Sequence, residues 1–300
     1  TTNFVYGTII ATLQVNQIAP VLTNFAVPRK TFGSATFTLV PPTTNSNGDF
    51  TYTSSNIEVA TIEDNVVTIV EAGNTIITAV QESTESYTSG TINALFIVDP
   101  IRTVLSNFSV PAKIFGGSAF GLVAPRTNSD GDFTYTSSNT DVATIVRNVI
   151  TIVGVGSSTI TATQPNTANY TSGTITTTFE VGQGTPVLTN FVIPTKTIGD
   201  ASFAIVPPVS NSTGLITYTS SDSSVATIDG NMITIVGRGS STITAEQEST
   251  TNFVSGTITA LFTINKIPTV LTNFTVGAKT FGDASFAVTH PSSNSDGLFT

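Results

Sequence analysis

The sequence predicts an all-β protein made of tandem, antiparallel β-sandwich repeats of 83 residues. Three observations lead to this prediction: short phrases recur at a constant spacing, apolar and polar residues alternate over short segments, and amphipathic helix patterns are missing throughout. Alternation with a period of two is typical of a strand that buries one face, whereas a helix repeats about every 3.6 residues.

The repeat length is read from recurring phrases. The string VLTNF begins at Val21, returns as VLSNF at Val104, and returns again at Val187 and Val270, each time 83 residues later. The phrase TYTSS and the phrase NYTSGTIT with its variants keep the same spacing. A fixed period of this kind indicates one structural unit used several times.

This period divides the chain into five segments. We expect a C-terminal strand of a preceding repeat at 1–17, complete repeats at 18–100, 101–183 and 184–266, and the N-terminal part of a following repeat at 267–300. The two end segments are together too short for one repeat, and half a sandwich exposes its core and its strand edges. We therefore expect an interior section of a longer array; a fragment that pairs with neighbouring chains is the alternative.

Alternation is clearest in the last strand of each repeat. The residues predicted to face inward are Ile175, Thr177, Phe179 and Val181; Ile258, Ala260, Phe262 and Ile264; and, in the opening segment, Ile9, Ala11, Leu13 and Val15. Three apolar residues of these strands, Leu95, Ile97 and Leu261, are predicted to face outward. This pattern predicts a half-buried antiparallel strand at each place.

Other strands and turns complete the unit. Phe50 and Tyr52 are predicted on one face, residues 159–163 alternate, and 149–153 form a short β-branched strand. Hairpin turns are predicted at 45–48 and 128–131, where Asn, Asp and Gly accept positive φ. About seven short strands per repeat are typical of an immunoglobulin-like sandwich. Short Pro-bearing links between repeats predict a semi-rigid string.

The segment TYTSSNTDVATIVRNVITIVGVGSSTITATQ (134–164) resembles the bacterial Ig-like domains of the invasin and intimin type, the group 2-like repeats. KTIGDASFAIV (196–206) and ANYTSG (168–173) resemble related repeats of large secreted surface proteins. The resemblance implies an Ig-like fold and a role as stalk, spacer or occasional binding unit on a cell or virion surface. Tyr52, Tyr135 and Tyr218 stand where many relatives carry Trp, so we expect each ring in the core with its hydroxyl at the edge.

Composition narrows the function classes. Cysteine is absent, so no disulfide or thiolate metal site can form. Charged residues make up 10% of the chain and the net charge is −9, without the basic stripe that nucleic-acid binding requires. No apolar run of about 18 residues is present to span a membrane.

The residues that could form a catalytic, calcium-binding or phosphate-binding site are each better explained by a structural role. His290 stands where other repeats have Pro41, Ala124 and Pro207, so we interpret it as a loop residue; no Ser/His/Asp arrangement is available without a second histidine. The loops at 45–49 and 128–132 carry oxygen ligands, with calcium as the alternative to a turn. The Gly154 and Gly237 loops precede strands, so no helix N-terminus is available for phosphate.

Two further sets of residues keep one position in the repeats. The lysines are Lys30, Lys113, Lys196 and Lys279, and the asparagines are Asn65, Asn148 and Asn231. We interpret each lysine as structural, with its stem over apolar surface; an isopeptide cross-link to asparagine is the alternative. Glycosylation sequons begin at Asn107, Asn169, Asn211 and Asn273.

These observations predict a non-enzymatic, extracellular stalk or spacer of an adhesin-like protein, with no catalytic, cofactor-binding or metal-binding residues. A filament formed by lateral association of the chains is the first alternative, since the neutral Thr-rich faces permit close contact. A glycan- or receptor-binding module is the second. The expected partners are other copies of the chain, or a receptor or glycan bound through regions outside this sequence; nucleic acid and membrane are not expected.

Overall fold

The computed structural model of the chain describes residues 3–300, and all its regular structure is β-strand, with no helix among those residues. The prediction of an all-β fold is confirmed. By spatial proximity the described residues form two compact units, one of residues 3–111, 118–153 and 157–180 and the other of residues 112–117, 154–156 and 181–300. The repeat boundaries read from the sequence period stay a prediction.

The same set of nine strands recurs three times. The first set is β1 (Leu22–Thr23), β2 (Lys30–Thr31), β3 (Phe37–Thr38), β4 (Thr43–Thr44), β5 (Phe50–Ser54), β6 (Ala60–Glu63), β7 (Val66–Ile69), β8 (Gly73–Gln81) and β9 (Gly90–Asp99). The second set is β10 (Leu105–Ser106), β11 (Lys113–Ile114), β12 (Phe120–Gly121), β13 (Arg126–Thr127), β14 (Thr134–Ser137), β15 (Ala143–Val146), β16 (Val149–Ile152), β17 (Gly156–Gln164) and β18 (Gly173–Gly182). The third set is β19 (Leu188–Thr189), β20 (Lys196–Thr197), β21 (Phe203–Ala204), β22 (Val209–Ser210), β23 (Ile216–Ser220), β24 (Ala226–Asp229), β25 (Met232–Ile235), β26 (Gly239–Gln247) and β27 (Gly256–Asn265). The last segment contains β28 (Leu271–Thr272) and β29 (Ser292–Ser293).

Each set forms two main sheets and a small two-stranded one. In the first set the orders are β2-β9-β8-β5, β3-β7-β6 and β1-β4, and the other two sets repeat them. The four-stranded and three-stranded sheets enclose the core as two layers, which gives tandem immunoglobulin-like β-sandwiches with an 83-residue period.

One strand pair corrects the prediction of purely antiparallel sheets. β2 runs parallel to β9, with Lys30 opposite Val98, and the equivalent strands of the other sets pair in the same way. A parallel pair needs a long crossover connection. Here the rest of the repeat is that connection, because β2 lies near its beginning and β9 at its end.

The predicted alternation is confirmed in the long strands. In β18 and β27 the inward positions are partly or fully buried, and Phe179 and Phe262 are 0% exposed. Their equivalent Phe96 is also fully buried and meets Phe37 edge to face, with the ring centroids 5.5 Å apart. Burial of one such ring contributes about 2–3 kcal/mol.

Residues 3–17 contradict the prediction of a strand with an inward apolar face. They contain no strand, and Ile9, Leu13 and Val15 are each more than 80% exposed. These residues pair with no strand within residues 3–300, so neither their backbone groups nor their apolar side chains have a sheet to join. Alternation shows which face a strand would bury, but the strand forms only where a partner is present.

The loop at 45–48 also differs from the predicted hairpin turn. It joins β4 to β5, which belong to different sheets. The Asn45 side-chain oxygen accepts a hydrogen bond from the Val21 backbone N–H at 2.8 Å, and equivalent bonds of 2.8 Å join Asn128 to Val104, Asn211 to Val187 and Asn294 to Val270. The loop therefore ties the crossing between the sheets to the beginning of the repeat.

A buried glutamine anchors the same loop from the other side. Gln247, 1% exposed, accepts a hydrogen bond from the Ser210 hydroxyl at 2.6 Å and donates to the carbonyl oxygens of Ser212 and Gly214, both at 3.0 Å. Gln81 and Gln164 bind their loops in the same way. These amides satisfy loop carbonyls that have limited access to water, which a buried polar group requires.

Replacement of this glutamine by an apolar residue should destabilise the third repeat. We expect Gln247→Leu to lower its free energy of unfolding by about 2–3 kcal/mol, because two carbonyls and one hydroxyl lose their partner in a partly buried place. Native-state amide hydrogen exchange of residues 239–264 measures this change. The control is Glu246→Leu at the exposed neighbouring position, and an equal loss in both variants would contradict the assignment.

Candidate functional site

His290, the chain's one histidine, is exposed and stacks on Phe299, with the ring centroids 5.3 Å apart and an angle of 23° between the rings. It lies just before β29 in the last segment. An aromatic ring, rather than a hydroxyl or a carboxylate, is therefore the contact that the structure gives this imidazole. The expectation that the chain has no catalytic residues stays a prediction.

In the two loops considered for calcium, the first candidate oxygen ligand already accepts a hydrogen bond within the protein. The side-chain oxygens of Asn45 and Asn128 accept hydrogen bonds from backbone N–H groups. Within residues 3–300, no group of three or more His, Asp or Glu side chains is placed to hold a metal ion. Calcium binding by these loops therefore receives no support from the geometry.

Three of the repeated lysines lie on phenylalanine rings. The ammonium groups of Lys30 and Lys196 lie 5.0 Å from the ring centroids of Phe37 and Phe203, and that of Lys279 lies 4.7 Å from the centroid of Phe286. A cation on an aromatic face is attracted by the ring quadrupole. This contact supports the structural interpretation of the lysine, with an aromatic ring as the apolar surface beneath it.

The repeated asparagines act through their backbone. The Asn65 carbonyl accepts a hydrogen bond from the Leu39 N–H at 2.8 Å, and Asn148 and Asn231 accept equivalent bonds of 2.7 Å from Leu122 and Ile205. These bonds join the turn after β6, and its equivalents, to the residue that follows β3, β12 or β21. The position therefore helps to close the three-stranded sheet.

Two sequon asparagines have structural contacts of another kind. The Asn211 side chain accepts the Val187 hydrogen bond described above, and Asn169 lies in a contact between the first and second repeats. Asn107 and Asn273 have φ of 58° and 60°, in the left-handed region where asparagine is tolerated better than most residues. All four positions thus have a structural reason for asparagine.

The first junction joins the first and second repeats through a side-chain amide and a ring pair. The Asn169 side-chain oxygen accepts a hydrogen bond from the Ala72 backbone N–H at 2.8 Å. The neighbouring Tyr170 meets Phe32 edge to face, with the ring centroids 6.1 Å apart at 76°. Phe32 also packs against the core of the first repeat, so the contact reaches from one core to the next repeat's loop.

The second junction uses the equivalent residues 83 positions later. The Asn252 side-chain oxygen accepts a hydrogen bond from the Val155 N–H at 3.1 Å, and Phe253 meets Phe115 at 5.2 Å and 90°. Gly184 comes so close to the Phe115 carbonyl that a β-carbon at this position would overlap with the oxygen. The first junction has Ile101 at that place, so the second allows a closer backbone approach.

The loop that carries each junction asparagine is fixed to the first residue of its own repeat. Ile101 donates to the Asn169 carbonyl at 2.8 Å and accepts from the Thr171 N–H at 2.9 Å, and Gly184 does the same with Asn252 and Val254. These parallel bridges hold the linker and the loop together. The phrase around Asn169 indicates the period, and the recurring Asn–aromatic pair within it is the sequence signal that indicates the junction.

The core tyrosines are partly buried, as predicted. Tyr52 packs between Phe25 and Phe50, and Tyr218 packs against Phe191 with the ring centroids 6.1 Å apart. Burial raises the pKa of the hydroxyls of Tyr52, Tyr135 and Tyr218 above its ordinary value, because the phenolate loses hydration.

No protein-family model matches the chain, and no curated protein matches it significantly. Solved structures that it resembles include Drosophila N-cadherin EC1-3, at 12% identity and a TM-score of 0.31, over 81% of this chain and 100% of that one. Sidekick-1 immunoglobulin domains 1-5 match at 12% identity and a TM-score of 0.38, over 84% and 60% of the two chains.

A third example is the N-terminal eight Ig domains of Down Syndrome Cell Adhesion Molecule, at 11% identity and a TM-score of 0.31, over 83% of this chain and 37% of that one. Similarity at this level carries no functional argument, so the fold rests on the strand order described above. Residues 3–300 include no helix that could cross a membrane.

The raised tyrosine pKa values predict a loss of stability in alkali. A folded-state pKa above the unfolded value favours the protonated phenol, so this contribution is complete below the unfolded pKa and is lost as the pH rises through the folded one. We expect the variant with Tyr52, Tyr135 and Tyr218 all replaced by Phe to depend less steeply on alkaline pH. Denaturation at a series of pH values checks this, with Tyr6→Phe at a fully exposed ring as the control; a triple variant that keeps the original slope would contradict the prediction.

Proposed function

We propose that the chain is a non-catalytic, extracellular structural section in which Ig-like repeats of the bacterial surface-protein type act as the stalk or spacer of an adhesin-like protein. The observation that carries the proposal is the recurrence of the junction. The same asparagine and the same aromatic position join consecutive repeats at both junctions. A spacer needs neighbouring units held by repeated contacts rather than joined by a free linker.

Composition supports the same role. The chain has no cysteine, so its stability does not depend on the redox state of its surroundings. Partly buried hydroxyl pairs such as Ser137–Ser158 and Ser220–Ser241, each 2.7 Å apart, join adjacent strands of the four-stranded sheets. A scaffold of this kind keeps its cohesion when ionic strength changes, because few of its contacts depend on charge.

A filament formed by lateral association is the second candidate. Leu95 and Leu261 lie on the outer face of the last strand and are 58% and 64% exposed, which supports contacts between chains. Electron microscopy of the purified chain separates the two roles. Single thin strings are expected for the stalk, whereas uniform fibres of several chains would overturn it in favour of the filament.

The junction can be tested by removing its amide. We expect Asn252→Ala to speed hydrogen exchange of the Val155 amide by about fivefold to tenfold, because the N–H loses a bond worth about 1 kcal/mol. Thr251→Ala, at the exposed neighbouring residue, is the control. Unchanged exchange at Val155 in the asparagine variant would show that the amide does not couple the repeats.

A further inference from the structure

A groove occurs at the same place in the first and second repeats. In the first repeat it encloses about 560 Å³ beside the beginning of β5 and the turn after β6, and in the second about 670 Å³ beside β14 and the turn after β15. The lining residues at equivalent positions are Pro41, Asp49, Phe50, Tyr52, Asp64 and Asn65 in the first repeat, and Ala124, Asp132, Phe133, Tyr135, Arg147 and Asn148 in the second. The groove thus recurs in two repeats at the 83-residue spacing.

Two aromatic rings line one wall of the groove. Phe50 and Tyr52 share a face of β5, with ring centroids 6.2 Å apart and an angle of 24° between the planes; Phe133 and Tyr135 have 6.1 Å and 25°. All four are half-buried, because they pack against the core and also line the groove. The wall thus presents two nearly parallel aromatic rings within an open depression.

Charged side chains lie at the rim of the groove. Asp49 and Asp64 are both exposed in the first repeat, and Asp132 and Arg147 take these positions in the second. Carboxylates accept hydrogen bonds from hydroxyl groups, and a guanidinium donates several in a fixed fork. Each groove therefore combines an apolar wall with a hydrogen-bonding rim.

The third repeat replaces these residues. Leu215, Ile216 and Gly230 stand at the positions of Asp49, Phe50 and Asp64, and Tyr218 keeps its place. The same backbone thus accommodates both sets of side chains. At position 64 the exchange for glycine is free of strain, since Asp64 and Gly230 have φ of 55° and 57°.

We propose that the grooves of the first and second repeats bind a sugar ring of a saccharide chain. A pyranose has an apolar C–H face that can pack on an aromatic ring and a rim of hydroxyls that can bond to carboxylates. The two carboxylates of the first groove repel anionic ligands, so it takes neutral sugars. Arg147 allows the second groove to take uronic acids as well. This function would add glycan contacts along the stalk, and it does not depend on the stalk assignment.

Titration of the complete chain with oligosaccharides tests this inference. The probes are tetrasaccharides of glucose, mannose, galactose and N-acetylglucosamine, together with a uronic acid tetrasaccharide. Because the chain has no tryptophan, its fluorescence comes from its six tyrosines, which include Tyr52 and Tyr135, and NMR shifts assign the change to each groove. At least one neutral sugar should shift residues of both grooves, and the uronic acid should shift only the second.

The third repeat supplies the matched variant. Asp49→Leu, Phe50→Ile and Asp64→Gly together convert the first groove to residues that the fold already accepts, and should weaken binding there by at least about tenfold while the second groove stays unchanged. Thr53→Val, on the opposite face of β5, is the control. No shift in either groove with any probe, or equal binding by the triple variant, would overturn the proposal.

A separate variant tests the charge selectivity of the second groove. Arg147→Asp gives the second groove the carboxylate of the first, and should abolish uronic acid binding while leaving neutral sugar binding in place. Uronic acid binding that survives this change would overturn the assignment of selectivity to residue 147. Electron microscopy of the same samples reports separately on the stalk, so failure of one proposal is distinguishable from failure of the other.

Discussion

Each repeat depends on the pairing of its two long strands. In the first repeat, β8 and β9 pair over nine residues, from Gly73 opposite Val98 to Gln81 opposite Gly90. One face of this hairpin supplies Ile77, Ala79 and Phe96, which are fully buried. Its edges take β5 on one side and β2 on the other. Without the hairpin the four-stranded sheet has no centre and the three-stranded sheet has no layer to pack against.

The ends of the same hairpin carry the polar contacts. Gln81 at the end of β8 holds the loop between the sheets, and Gln247 does so in the third repeat. In the second and third repeats the loop between the two long strands carries Asn169 and Asn252, the junction residues. One element therefore builds the core, anchors a loop and makes contact with the preceding repeat, so a change in its register would disturb all three.

Much of this could be predicted from the sequence because alternation and period are local signals. The inward residues of β18 and β27 follow directly from period-two alternation. Gln247 lies in the same alternating series as Ile243 and Ala245, so alternation predicts that its side chain is buried. Its polar side chain, taken alone, favours an exposed position. The parallel pairing of β2 had no signal in the sequence, because a strand of two residues is too short to show alternation. Residues 3–17 show the converse, a clear pattern without a partner strand.

Comparison of the repeats separates positions that the fold needs from positions that it leaves free. The buried Phe96 and Gln81 keep their identity in all three repeats, and the junction keeps asparagine followed by an aromatic residue at both places. Position 64 instead changes in size and charge in every repeat, and position 49 changes from Asp to Leu in the third. A purely structural role gives no reason for one ring of the aromatic wall and both charges of the rim to change together. The third repeat loses Phe50 and both rim charges together, which is the pattern expected if these residues serve one ligand.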